Sequence, residues 1–190
     1  MERRLGWVEK QVKRLLALDG HSTRPVWDDD KVALSNIKAP ASDPPTWTSY
    51  QGCEVPSFAA AGTNVLYFTH QLSHRYRFGS EINFHIHVAY PAAGTGNSVW
   101  VFTYSWANIS GTFPVETTQT VTYASPNTAN YHQLIPFTAI VGTGFTGSSC
   151  LLCSISRTGS AAGDTYGGAI YGISADFHVN YDKLGAPSLP

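Results

Sequence analysis

The residues with the clearest chemical potential are His85 and His87, in the segment Ile82-Asn83-Phe84-His85-Ile86-His87-Val88-Ala89-Tyr90. Two residues apart on a strand, they point the same way at about 7 Å separation, and two imidazoles so placed could share a metal ion. Further ligands would be needed, and His178 and His70 are the candidates in strand-like sequence. In a homotrimer the pair could instead repeat around a three-fold axis. The competing expectation is ordinary hydrogen bonding between sheets or subunits, and on that expectation the chain takes no metal and no cofactor. Cys150-x-x-Cys153 has redox or metal-ligand spacing, but no second such pair exists. A separation of three on a strand puts the two thiols on opposite faces, so they read as buried structural thiols. Asp28-Asp29-Asp30 could hold a cation, although such a run is more simply solvated or caps a turn.

Catalytic signatures are missing. No GxSxG, HExxH, Walker or dinucleotide-binding glycine pattern occurs. The carboxylates after residue 50 are Glu54, Glu81, Glu116, Asp164, Asp176 and Asp182, and they are too scattered to suggest an acid/base pair. The chain is therefore not expected to be an enzyme. Trp100, Phe102, Tyr104 and Trp106 form an aromatic stripe on one strand face. It could be a carbohydrate platform, but at alternate positions it reads first as core.

The elements that must position these residues are strands. From residue 52 onward, alternating or apolar runs recur between Gly, Pro, Asn and Ser turns, with no helical period. The expected strands are 65–72, 82–90, 99–109, 118–123, 131–141, 149–158 and 169–181, with another near 53–58. Seven or eight strands without intervening helices mean an all-β sandwich or jelly roll over residues 51–190. Charged residues are only 13% of the 190, and net charge is −1. That argues against a nucleic-acid partner reached through a basic surface. No apolar run is long enough to cross a membrane, and no signal-peptide pattern opens the chain. Residues 1–50 hold 8 of the 12 Lys+Arg and 7 of the 13 Asp+Glu. The neutral remainder must owe its solubility to Ser, Thr and Asn, or be covered by copies of itself or by a partner.

Residues 1–18 read as an amphipathic helix. Met1, Leu5, Val8, Val12 and Leu15 follow a heptad seam, and Asp19-Gly20 supplies the stop. It reads as a short oligomer-forming or anchoring helix rather than an amphipathic helix packed on its own domain. Residues 19–50, with Pro40, Pro44 and Pro45, read as an irregular extended arm or linker.

Several segments together resemble a group of tailed-bacteriophage virion proteins. These are Leu66–Tyr76, Gly79–His87 with its His-Ile-His, Val99–Ile109 with Tyr104-Ser105-Trp106-Ala107-Asn108-Ile109, Phe113-Pro114, Asp164-Thr165-Tyr166 and Asp176-Phe177-His178. The resemblance spans roughly residues 64–181. It implies a trimeric β-sandwich or jelly-roll module on a virion: a capsid decoration (cement) protein, a head fibre or a tail-fibre knob. Among these, the short chain, small anchor and draping arm favour a decoration protein. It would be a homotrimer made in the host cytoplasm, sit on the capsid surface, and bind the major capsid protein. The alternatives are a receptor-binding tail-fibre knob bound to a tail protein, and a lectin-like module that meets host surface glycans through Trp100 and Trp106.

Overall fold

The computed structural model describes residues 21–32 and 37–183, together with Lys10. Ten strands run through the described residues in chain order: β1 (His21–Val32), β2 (Thr46–Tyr50), β3 (Cys53–Phe58), β4 (Thr63–Gln71), β5 (Ile82–Tyr90), β6 (Asn97–Ala107), β7 (Thr117–Ala124), β8 (Tyr131–Pro136), β9 (Cys150–Thr158) and β10 (Ile170–Lys183). They form two antiparallel sheets, one ordered β2-β3-β10-β5-β8 with β1 also on β10, the other β4-β9-β6-β7. Strands β3 to β10 therefore pass between the sheets in the eight-strand order of a jelly roll. The chain is all-β, as the turn-separated alternation predicts.

The core lies where the inner faces meet. On β5, Ile82, Phe84, Ile86, Val88 and Tyr90 are all fully buried, because period-two alternation sends them to one side. Phe84 stacks on Phe102 of β6 at 4.0 Å between centroids and also meets Phe68, Phe137 and Phe177. The aromatic stripe on β6 is core: Trp100, Phe102 and Trp106 are buried. The indole N–H of Trp100 donates to Ser98 Oγ and that of Trp106 to Ser149 Oγ. The expected glycan platform is thus corrected, since neither tryptophan presents a face to solvent.

The expected arm over 19–50 is also corrected within the described residues. Residues 21–32 are β1, paired antiparallel with the second half of β10. Residues 46–50 are β2, hairpinned to β3 through Gln51 and Gly52, both at positive φ. Two consecutive positive φ values make the turn whose twist suits a tight hairpin. The expected boundary at residue 51 therefore falls inside a hairpin, and β1 and β2 belong to the sheet. Aspartates are poor strand formers, so the Asp28-Asp29-Asp30 run hid β1 from pattern reading. The anchor positions Met1, Leu5, Val8, Val12 and Leu15 lie outside the described residues. Strand β8 is shorter than expected, because Pro136 has no N–H to continue the ladder. Pairing with β5 resumes as an isolated bridge between Ile82 and Ile140.

Candidate functional site

The inward-facing residues of β5 leave His85 and His87 on the outer face of the six-stranded sheet. Register decides what they meet. On β10, Asp176 lies opposite His85 and Ser174 opposite His87. On β8, Leu134 lies opposite His87, and His132 is one outward position further along. On the other flank, β1 places Asp29 opposite His178 of β10. Four neighbouring strands thus line up Asp29, His178, Asp176, His85, His87 and His132 across one face.

The side chains converge more closely than strand spacing alone predicts. His85 Nε2 and His87 Nε2 are 3.1 Å apart. His85 Nε2 lies against Asp176 Oδ1, and His87 Nε2 is 3.3 Å from Asp176 Oδ2. Behind His87, its Nδ1 sits 2.8 Å from His132 Nε2. The His178 ring packs edge-on to His85 with centroids 4.5 Å apart, and its Nε2 is 2.8 Å from Asp29 Oδ1. Asp176 and His85 are buried, whereas the His87 side chain keeps 22% of its exposure. The floor is therefore shielded and the mouth open. Burial pushes the His87 imidazole below its ordinary pKa; Asp176 opposes this, and His85 and His132 reinforce it. His87 is accordingly held neutral, the form that offers a nitrogen lone pair.

Of the two further ligand candidates, His178 is brought beside the pair and His70 is not. His70 faces between the sheets, stacked on Phe177 at 4.5 Å and 3.5 Å from Asp30. The three aspartates separate to different partners: Asp28 to Arg75, Asp29 to His178, and Asp30 to Tyr181 and His70. Cys150 and Cys153 do fall on opposite faces, with Cys153 buried, Cys150 half-buried and Cys53 exposed. Burial of Cys150 is thereby corrected. Sequence reasoning missed Asp176 and His132 as neighbours of the histidine pair, and Asp29 as the partner of His178. One signal was available for Asp176: Asp176-Phe177-His178 repeats the polar-apolar-polar alternation of His85-Ile86-His87.

Two buried charges occupy the inner side instead. Arg157 Nε donates to Asp164 Oδ2 at 2.9 Å and Nη2 to Oδ1 at 2.7 Å. The same guanidinium donates to the carbonyls of Tyr166, Gly168 and Phe58. Each N–H of the fork has a use, so this pair is structural.

No family profile matches the sequence, and no curated protein sequence matches it. Among solved structures, the chain is similar to the CBM22-1–GH10 modules of Clostridium thermocellum endo-1,4-beta-D-xylanase 10B, at 12% identity over 80% of this chain and 28% of that one (TM-score 0.42). It is similar to a chain of infectious bursal disease virus, Gx strain, at 14% identity over 87% of this chain and 34% of that one (TM-score 0.41). A third is the enzymatically active domain of bacteriophage CBA120 tailspike protein 4, at 7% identity over 80% of this chain and 19% of that one (TM-score 0.38). The chain spans about a third or less of each of these three. The fold assignment rests on the strand order itself.

Proposed function

We propose that this chain is a structural protein of a tailed-bacteriophage virion, a decoration protein displayed as a homotrimer on the capsid and stabilising it. The observation that carries the reading is the outer face of the four-stranded sheet. Along β4, β9, β6 and β7 the outward positions, among them Tyr67, Thr69, Leu152, Ser154, Thr103 and Thr120, include no charged side chain. Tyr67 and Leu152 are about half exposed on it, at 51% and 45%. A dispersed monomer normally keeps mixed charge on such a face, whereas a face covered by sister chains or a shell protein has no such need. The segment resemblance to phage virion proteins supports the same reading. No catalytic step is part of it.

The test begins with mass in solution at micromolar concentration, where a trimer is expected. Ser154→Lys and Thr103→Lys place charge at the centre of the neutral face and should shift the mass towards monomer while the fold persists. A well-behaved monomeric parent would overturn the trimer. Copies per purified virion then separate the roles: hundreds fit decoration of a shell, and a few to tens would replace it with a tail-fibre knob. Deleting residues 1–20, which leaves β1 intact, should abolish capsid attachment if Met1, Leu5, Val8, Val12 and Leu15 form the anchor.

A further inference from the structure

We propose that His85, His87 and Asp176 bind one divalent transition-metal ion of the zinc class per chain, through the two Nε2 atoms and the carboxylate. The three groups supply ligand atoms that all lie within 4.8 Å of one another. Their spacing fits a common centre. At the usual metal–nitrogen and metal–oxygen distance of about 2.0–2.1 Å, the 3.1 Å between the imidazole nitrogens subtends about 98°. The 3.3 Å from His87 Nε2 to Asp176 Oδ2 subtends about 107° at the same centre. Both angles lie between the octahedral and tetrahedral values. Two imidazoles and one carboxylate suit zinc, iron, cobalt or nickel rather than calcium or magnesium, which prefer all-oxygen sites.

Two further observations point to a ligand. Asp176 is 2% exposed, yet its Oδ1 accepts no hydrogen bond, although His85 Nε2 lies against it. A buried carboxylate oxygen left so is costly, and an ion held by both carboxylate oxygens would satisfy it. His87 also has the outer support expected of a metal ligand: with Nε2 on the ion, Nδ1–H donates to His132 Nε2 and fixes the tautomer. The three ligands come from two strands of one sheet, so the frame is rigid. The partly exposed side of His87 leaves the remaining coordination positions open to water or to a neighbouring molecule. Asp29 and His178 form a second group with the same Asp176, but both are exposed.

The experiment uses tag-free full-length protein, stripped with chelator and titrated with Zn2+ or Co2+ alone, with binding followed by calorimetry and by the cobalt absorption bands. One equivalent per chain is expected, together with a raised melting temperature. Asp176→Asn and His87→Gln preserve shape and should each weaken binding at least 100-fold, with the fold checked by circular dichroism. His132→Phe removes only the outer support and should weaken it about 10- to 100-fold. Asp29→Asn should leave it unchanged. Failure to bind either ion, a stoichiometry of one third per chain, or binding that survives Asp176→Asn would overturn the assignment. If a variant fails to fold, the parent's stoichiometry and the cobalt spectrum decide alone, nitrogen–oxygen coordination supporting the site and a hydrated-ion spectrum overturning it.

Discussion

Asp164→Ala tests whether the buried ion pair holds one end of the sandwich closed. Arg157 and Asp164 side chains are 0% and 1% exposed. Removing the carboxylate strands a guanidinium that keeps three carbonyl partners, Tyr166, Gly168 and Phe58, but no counter-charge. It also leaves the backbone N–H of Val99 without its acceptor, Asp164 Oδ2. Breaking a buried pair from one side costs about 3–5 kcal/mol. At about 2–4 °C per kcal/mol for a chain of this size, the melting temperature should fall by about 6–20 °C. Guanidinium unfolding followed by tryptophan fluorescence gives the free energy directly. The double variant Arg157→Met/Asp164→Ala should cost less than the two single losses added, because the second change removes an already unpaired charge. A loss below about 1 kcal/mol for Asp164→Ala, or strict additivity in the double variant, would refute the account.

Three other outcomes follow from the packing. Phe84→Ala empties the centre of the Phe68, Phe102, Phe137 and Phe177 cluster and should cost about 3–5 kcal/mol in the same assay; a loss under about 1 kcal/mol would mean that side chain is not central to packing. Burial pushes the Asp30 carboxyl up, but the neighbouring His70 imidazole, the hydrogen bond from Tyr181 and the charge of Arg75 outweigh it and hold it below its ordinary value. A carboxylate depressed in the folded state adds stability that is complete above the unfolded carboxylate range and drains as pH falls through the folded value. Tyr181→Phe should therefore cost about 1–3 kcal/mol at pH 7 and progressively less as pH falls below the ordinary carboxylate range in urea melts; a loss independent of pH would rule out the Asp30 charge as the source. With a thiol reagent, exposed Cys53 should react first, while Cys153, whose thiol burial pushes far up, should react only on unfolding. Rapid labelling of Cys153 in the native state would contradict its placement.

Much of the core was readable from alternation. The two faces of β5 and the inward stripe Trp100, Phe102, Tyr104 and Trp106 follow from residue order, because a strand's side-chain period is two wherever the strand ends up. Strand β1 was not readable, because its aspartates gain their partners from other strands: Arg75 beyond β4, His178 and Tyr181 on β10, and His70 on β4. Arg157 sits inward on β9 among Leu151, Cys153 and Ile155. Its partner Asp164 follows in the next loop, and only the folding back of that loop makes them a pair.

By itself the sequence determined the all-β class, the lack of helix among the described residues 52–183 and the shared face of His85 and His87, since each depends on local period and turn chemistry. Tertiary structure decided the neighbours. That Asp176 lies against His85 and His87, rather than one residue along and facing the core, is a matter of register between β5 and β10, strands some 90 residues apart in the chain. A slip of one residue would send Phe177 outward and Asp176 into the core, so the packing of Phe177 against Phe84 and Phe102 fixes the register. The energy that places the carboxylate beside the histidines is therefore spent on the opposite face of the sheet.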